Sequence, residues 1–152
     1  MRTFEDFTAG TVRHLGPIAV TREDCLAFAA KYDPQPFHLE DAAAEAHPFF
    51  GRLAASGWMT CALVMRLLVD DMQADPAASL GSPGVDKVRW LRPVYPGDML
   101  SLKVEIVDTK RSASRPEMGS VFNRYEVSNQ DGDSVMTMEG VGLFSTRLVK
   151  PA

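Results

Sequence analysis

Residues Gly51–Met72 read GRLAASGWMTCALVMRLLVDDM, and this stretch decides the architecture. From Ser56 or Gly57 onward, Trp58, Met59, Cys61–Met65 and Leu67–Val69 leave almost no polar face before Arg66. A helix that is apolar on all sides belongs inside a protein, so the rest of the chain has to enclose it. Its longest unbroken apolar run, Cys61–Met65, is far too short to cross a bilayer.

Downstream of the helix, Gln73–Gly84 contains two prolines and two glycines and predicts a loop. The hydrophobic period then changes to two. Val85–Val94 predicts a strand, closed by the turn Tyr95-Pro96-Gly97-Asp98, in which Asp98 is expected to satisfy backbone amides. Leu100, Leu102, Val104 and Ile106 line one face of Leu100–Val107, and Val121–Ser128 alternates in the same way. Asn129-Gln130-Asp131-Gly132 predicts a hairpin turn, and Val135–Thr146 completes the series.

Upstream, Ile18–Val20 predicts a short strand. Thr21 is placed to cap a helix that stops near Tyr32, before Pro34, and the alanine-rich Leu39–His47 predicts a helical turn or two. This order implies an α+β fold in which a curved antiparallel sheet wraps one long buried helix, as a single domain over residues 1–152. A sheet of five strands around one helix leaves an open edge, which pairing with a second copy would cover, so a homodimer or a higher oligomer of dimers is expected.

Composition narrows the function. With 45% hydrophobic and 24% charged residues, the chain is too apolar for disorder, and a net charge of −4 argues against a general nucleic-acid binder. The first residues, MRTFEDFTAG, place acids where an export signal needs an apolar core, so a cytoplasmic location away from membranes is expected. Cys25 and Cys61 offer neither a disulfide framework nor metal-type spacing, and the three histidines show no paired metal spacing. Cys61, one turn into the helix, reads as a small core residue, His14 as part of a polar stretch before the first strand, and His47 as a loop residue.

The chemistry concentrates in Tyr32–His38, YDPQPFH. Pro34 and Pro36 restrain the backbone around Asp33 and His38 and are expected to keep both in a non-helical segment. A carboxylate and an imidazole held together can manage the protons of one water molecule.

Together FTAG, YDPQPFH, GRLAASGWMT and VRWLRPVYPGDML resemble the MaoC-like dehydratase domain, a hot-dog fold whose relatives include the R-specific enoyl-CoA hydratases. The likeness runs in order from about Phe4 to the last strand. It implies that Asp33 and His38 are catalytic, handling water beneath the thioester of an acyl-CoA. It also implies that backbone amides at Gly57 and Trp58 face the thioester oxygen. Gln35 and Ser56 stand where the family often has Asn and His.

Substrate contacts are expected from Gln35, Ser56, Phe49, Phe50, Arg52 and Arg89, with the bulky rings Phe49, Phe50 and Trp58 capping a short to medium acyl pocket. Further candidates for the CoA phosphates are Lys87, Arg92 and the looser cluster Lys110, Arg111 and Arg115. The implied activity is reversible hydration of a 2-enoyl-CoA to a 3-hydroxyacyl-CoA, with the R product favoured and no metal or separate cofactor. An acyl-CoA thioesterase and a non-catalytic acyl-CoA-binding module are the alternatives. A thioesterase would draw a carboxylate from the long helix or a neighbouring strand, and the helix offers none before Asp70. Because a carboxylate kept for chemistry is seldom optimal for stability, Asp33→Asn is expected to hold or raise the melting temperature.

Overall fold

A computed structural model describes residues 1–147; the last five residues of the expected domain lie outside the described residues. A 3-10 turn (Phe4–Asp6) leads into β1 (Val12–Ala19), followed by α1 (Arg22–Tyr32), α2 (Pro36–Leu39), α3 (Asp41–Glu45) and α4 (Gly57–Ala74). Four strands follow: β2 (Ser79–Trp90), β3 (Met99–Arg111), β4 (Met118–Ser128) and β5 (Ser134–Ser145). All neighbours are antiparallel, in the order β1-β3-β4-β5-β2. One sheet with one long helix across it is the α+β hot-dog arrangement expected from the sequence.

The period-two pattern sets the core. In β3, Leu100, Leu102, Val104 and Ile106 are buried, and in β4 Val121, Tyr125 and Val127; of these Leu100, Leu102, Val104, Tyr125 and Val127 pack with Met59, Val64 and Leu67 of α4. Each such side chain taken from water contributes about 1.5–3 kcal/mol before entropy is subtracted. A smaller cluster of Phe4, Ile106, Val121 and Phe144 closes the far end of the sheet. Thr21 caps α1 by accepting from the Asp24 amide at 3.1 Å. Asp98 accepts from the Tyr95 amide at 2.9 Å, as its turn position predicts.

Several boundaries differ from expectation. β1 begins six residues earlier than Ile18, so His14 lies within the strand; Gly16 and Pro17 interrupt its alternation at the register shift between Leu15 and Ile18. The segment Gln73–Gly84 is not a loop throughout. Gln73 and Ala74 continue α4, since no proline intervenes before Pro76, and β2 starts at Ser79. Gly81 and Gly84, both at positive φ, sit at shifts in the β2–β5 register, and an edge strand tolerates Pro83.

At its other end β2 stops at Trp90; the Leu91 amide makes a last bond to the Val135 carbonyl of β5 at 2.8 Å, and the chain then leaves the sheet, with the Val94 carbonyl accepting from the Ala55 amide at 2.8 Å. The expected non-helical segment holds at Asp33, which lies just outside α1, but fails at His38, which lies in α2. Pro36 occupies the first turn of α2, where its fixed φ and missing N–H suit a helix start. Nor is α4 enclosed on all sides in the single chain: Trp58 is 61% exposed and Met65 55%, because the sheet covers one face only.

Candidate active site

The site forms where α1 ends, α2 begins and α4 starts. Asp33 terminates α1, its amide bonded to the Ala29 carbonyl at 3.0 Å, and its own carbonyl accepts from Gln35 N at 2.8 Å. This tight turn, followed by Pro36 and one turn of helix, brings the imidazole of His38 back toward Asp33. His38 Nε2 lies 3.3 Å from Asp33 Oδ2. The other ring nitrogen, Nδ1, is 2.7 Å from the Ala54 carbonyl oxygen. That oxygen can only accept, so Nδ1 carries the proton and Nε2 is the nitrogen left for chemistry.

Asp33 is surrounded by donors. Ser56 Oγ donates to Oδ2 at 2.7 Å and Gln35 Nε2 donates to Oδ1 at 2.7 Å. Burial pushes the carboxyl upward, but Gln35, Ser56 and the nearby His38 outweigh it, and the net result lies below the usual aspartate value. Asp33 is therefore a carboxylate at neutral pH.

The Ser56 contact has a second effect. Ser56 occupies the N-cap position of α4, where a serine hydroxyl ordinarily accepts from a helix amide; here it makes no cap bond and turns to Asp33. The amides of Met59 and Thr60 return to the Ser56 carbonyl, while those of Gly57 and Trp58 meet no acceptor among the described residues. Two free N–H groups at the positive end of a helix of 18 residues suit a developing anion.

A cavity of about 400 Å³ opens over these groups. Asp33, Gln35, His38, Phe49, Phe50, Ser56, Gly57 and Trp58 all border it. Arg52 and Arg89 do not. The Arg52 guanidinium lies 3.9 Å from the Tyr95 ring centroid, and Arg89 Nη1 donates to the Val88 carbonyl at 3.1 Å. Among the other cations proposed for phosphates, Lys87 faces Glu139 at 3.6 Å and Arg111 pairs with Glu5 at 2.5 Å, far from the cavity; Arg92 does border it. Phe49 is 81% exposed, so with Trp58 it rims the mouth and does not cap it in the single chain.

Sequence reading missed three contributors. The Ala54 carbonyl had no signature, being backbone. Thr60, also on the cavity wall, was submerged in the apolar run. Trp90 was counted as one more strand residue, yet its indole Nε1 donates to the Gly57 carbonyl at 2.9 Å. A Cβ on Gly57 would fall 2.5 Å from that indole. The glycine opening a helix of bulky residues was the available hint of a close approach.

The cysteines are placed away from this chemistry. Burial pushes the Cys25 thiol up to about 11 and raises that of Cys61, which lies 3.7 Å from the Met136 sulfur. Among the described residues, no three His, Cys, Asp or Glu side chains are placed to share a metal ion, and no helix is long and apolar enough to cross a membrane.

Comparison with known proteins agrees with the fold. The crystal structure of a MaoC-like dehydratase from Rhodospirillum rubrum superposes with a TM-score of 0.86 at 34% identity, covering 97% of this chain and 99% of that one. The uncharacterized protein YdeM of Bacillus subtilis is 29% identical over 135 residues, 85% of this chain and 93% of that protein. A mesaconyl-CoA hydratase from Cereibacter sphaeroides is 30% identical over 139 residues, 90% of this chain but only 39% of the longer relative. Residues 4–129 match the MaoC like domain, a family of hydratase and dehydratase type. With most of its length matched and the same architecture, this chain belongs to the MaoC-like domain family.

Proposed function

We propose that the protein reversibly adds water across the double bond of a 2-enoyl-CoA to give a 3-hydroxyacyl-CoA. The observation that carries the reading is the 3.3 Å approach of His38 Nε2 to Asp33 Oδ2, beside the free amides of Gly57 and Trp58. One water can donate to both atoms at once. As its oxygen bonds to C3, its proton passes to Nε2, and the electron pair of the double bond moves through C2 onto the thioester oxygen. The Gly57 and Trp58 amides hold that oxygen. The enolate then collapses, C2 takes the proton from the imidazolium, and the dyad returns to its starting state.

Asp33, kept ionised by its donors, is an acceptor in the resting state, so His38 is the group that carries the proton. Water and proton reach the substrate from one side, a syn addition; the R product is the one the family resemblance implies. Coenzyme A is part of the substrate, and no metal or separate cofactor enters the scheme.

The aromatic surroundings and the relative named for mesaconyl-CoA favour a short acyl group, branched or dicarboxylic groups included. The thioesterase reading has less support. Asp70, the first acid of α4, is engaged by Arg66 at 2.9 Å and lies outside the cavity lining. A panel of straight-chain, branched and dicarboxylic enoyl-CoAs, followed at the conjugated thioester absorbance, tests the proposal. Loss of that absorbance with the thioester bond intact is expected. Release of free CoA thiol in its place would identify a thioesterase.

The working unit is a homodimer. β2 is an edge strand exposed along nearly its whole length, and Leu80, Val85 and Trp90 on it join exposed Trp58 and Met65 of α4. A second copy paired at this edge would cover those side chains and bring the two cavities near the shared boundary.

A further inference from the structure

The loop between α3 and α4 contains a histidine that the scheme above does not use. His47 Nδ1 accepts the Phe49 amide at 3.2 Å. A nitrogen that accepts an N–H carries no proton of its own, so the His47 ring is the neutral form with its hydrogen on Nε2. The same ring stacks on Phe50, with centroids 4.3 Å apart and planes at 20°, and meets Phe37 at 4.8 Å. Phe37 and Phe50 are also the rings against His38: Phe37 touches its edge at 4.7 Å and Phe50 lies at 5.8 Å. Behind Phe50, the Tyr95 hydroxyl donates to its carbonyl at 2.6 Å.

We propose that His47 is a positioning residue of this site: through its Nδ1 it fixes the turn carrying Phe49 and Phe50, and through the Phe50 ring stacked on it the orientation of the His38 imidazole. Without it, Phe50 keeps the Tyr95 hydrogen bond to its carbonyl and a tilted contact with Phe37 at 5.2 Å, but loses the stacked ring, and its own ring beside His38 can tilt. The Cβ attachment and the Ala54 carbonyl restrict the His38 ring to small excursions of its two torsions, and the flanking Phe37 and Phe50 rings narrow where Nε2 points within them. This role rests on the hydratase reading of Asp33 and His38.

The test compares His47→Ala, His47→Asn and His47→Phe in the full chain. Asparagine returns an acceptor oxygen close to the place of Nδ1, whereas phenylalanine returns a ring without an acceptor. His47→Ala and His47→Phe are expected to lower kcat about 10-fold, the scale of a small misplacement of a reacting group, with KM changed less than about 3-fold. His47→Asn should recover to within about 3-fold of the parent. In parallel, the imidazole resonances of His38, read by nitrogen-resolved NMR without substrate, should move in the alanine variant and return toward the parent in the asparagine variant.

Activity of His47→Ala within about 2-fold of the parent overturns the proposal. So does full recovery by phenylalanine, or an equal loss in all three variants. If the parent itself fails to hydrate any enoyl-CoA, the functional reading falls and the NMR comparison alone decides: unmoved His38 signals then overturn the role of His47, and moved signals uphold it.

Discussion

Asp33 is held by two neutral donors and an imidazole, and this bears on both activity and stability. In Asp33→Asn, one carboxylate oxygen becomes an NH2 that cannot accept, so Gln35 or Ser56 loses its partner. We expect kcat to fall by ~10²–10⁴-fold with KM little changed, the usual range for a positioned acid–base group. The sequence-based expectation that melting temperature holds or rises does not fit these contacts. Hydrogen bonds to a charged group contribute about 1.5–3 kcal/mol, so the variant should be less stable at neutral pH. Because the folded pKa of Asp33 is lowered, its contribution is complete well above the ordinary value of 3.8 and is lost as pH falls through the lower folded value. Urea midpoints of parent and variant should thus differ at pH 7 and converge in acid; identical midpoints at pH 7 would count against the role of the donors. The pair itself was legible in YDPQPFH. What orients it was not, because a backbone oxygen such as that of Ala54 leaves no trace in residue identity.

The start of α4 is the element on which the proposed chemistry depends, and Gly57 is constrained there by packing. Gly57→Ala would drive a methyl into the Trp90 indole and break its bond to the Gly57 carbonyl. Overpacking of this kind costs about 1–3 kcal/mol. The expected result is a shift in tryptophan fluorescence with at least a 10-fold lower kcat/KM, at the scale of a misplaced oxyanion contact. In a Trp90→Ala background the same substitution should cost much less stability, and equal costs in both backgrounds would disprove the clash. Strands β3, β4 and β5 could be read from alternation because one face of each meets the core. β2 was legible only in its second half, where the expected strand Val85–Val94 overlaps it; its first half, exposed on both sides and broken by register shifts, has no burial pattern to impress on its sequence.

At the scale of the molecule, the exposed edge sets the prediction. Val85 is 53% exposed on β2, and Val85→Lys places a charge where a partner strand would lie. Light scattering should report a dimer for the parent and a monomer for the variant at micromolar concentration, and a parent that is monomeric there would refute the shared sheet. Whole-molecule architecture was readable because one long apolar helix admits few enclosures. The separation of the far cations from the site was not readable, since it depends on which end of each strand meets α4: Arg111 lies at the end of β3, and the cavity lies at the opposite end of the sheet.

Ser56 sets thermal endurance against turnover. Its hydroxyl serves Asp33 and leaves α4 uncapped, so any replacement that folds back onto the helix amides would make a sturdier helix while occupying the place proposed for the thioester oxygen and taking a donor from Asp33. A laboratory population selected only for surviving heat would drift toward such replacements and become durable and inert. Selection that scores catalysis in every round would keep the serine.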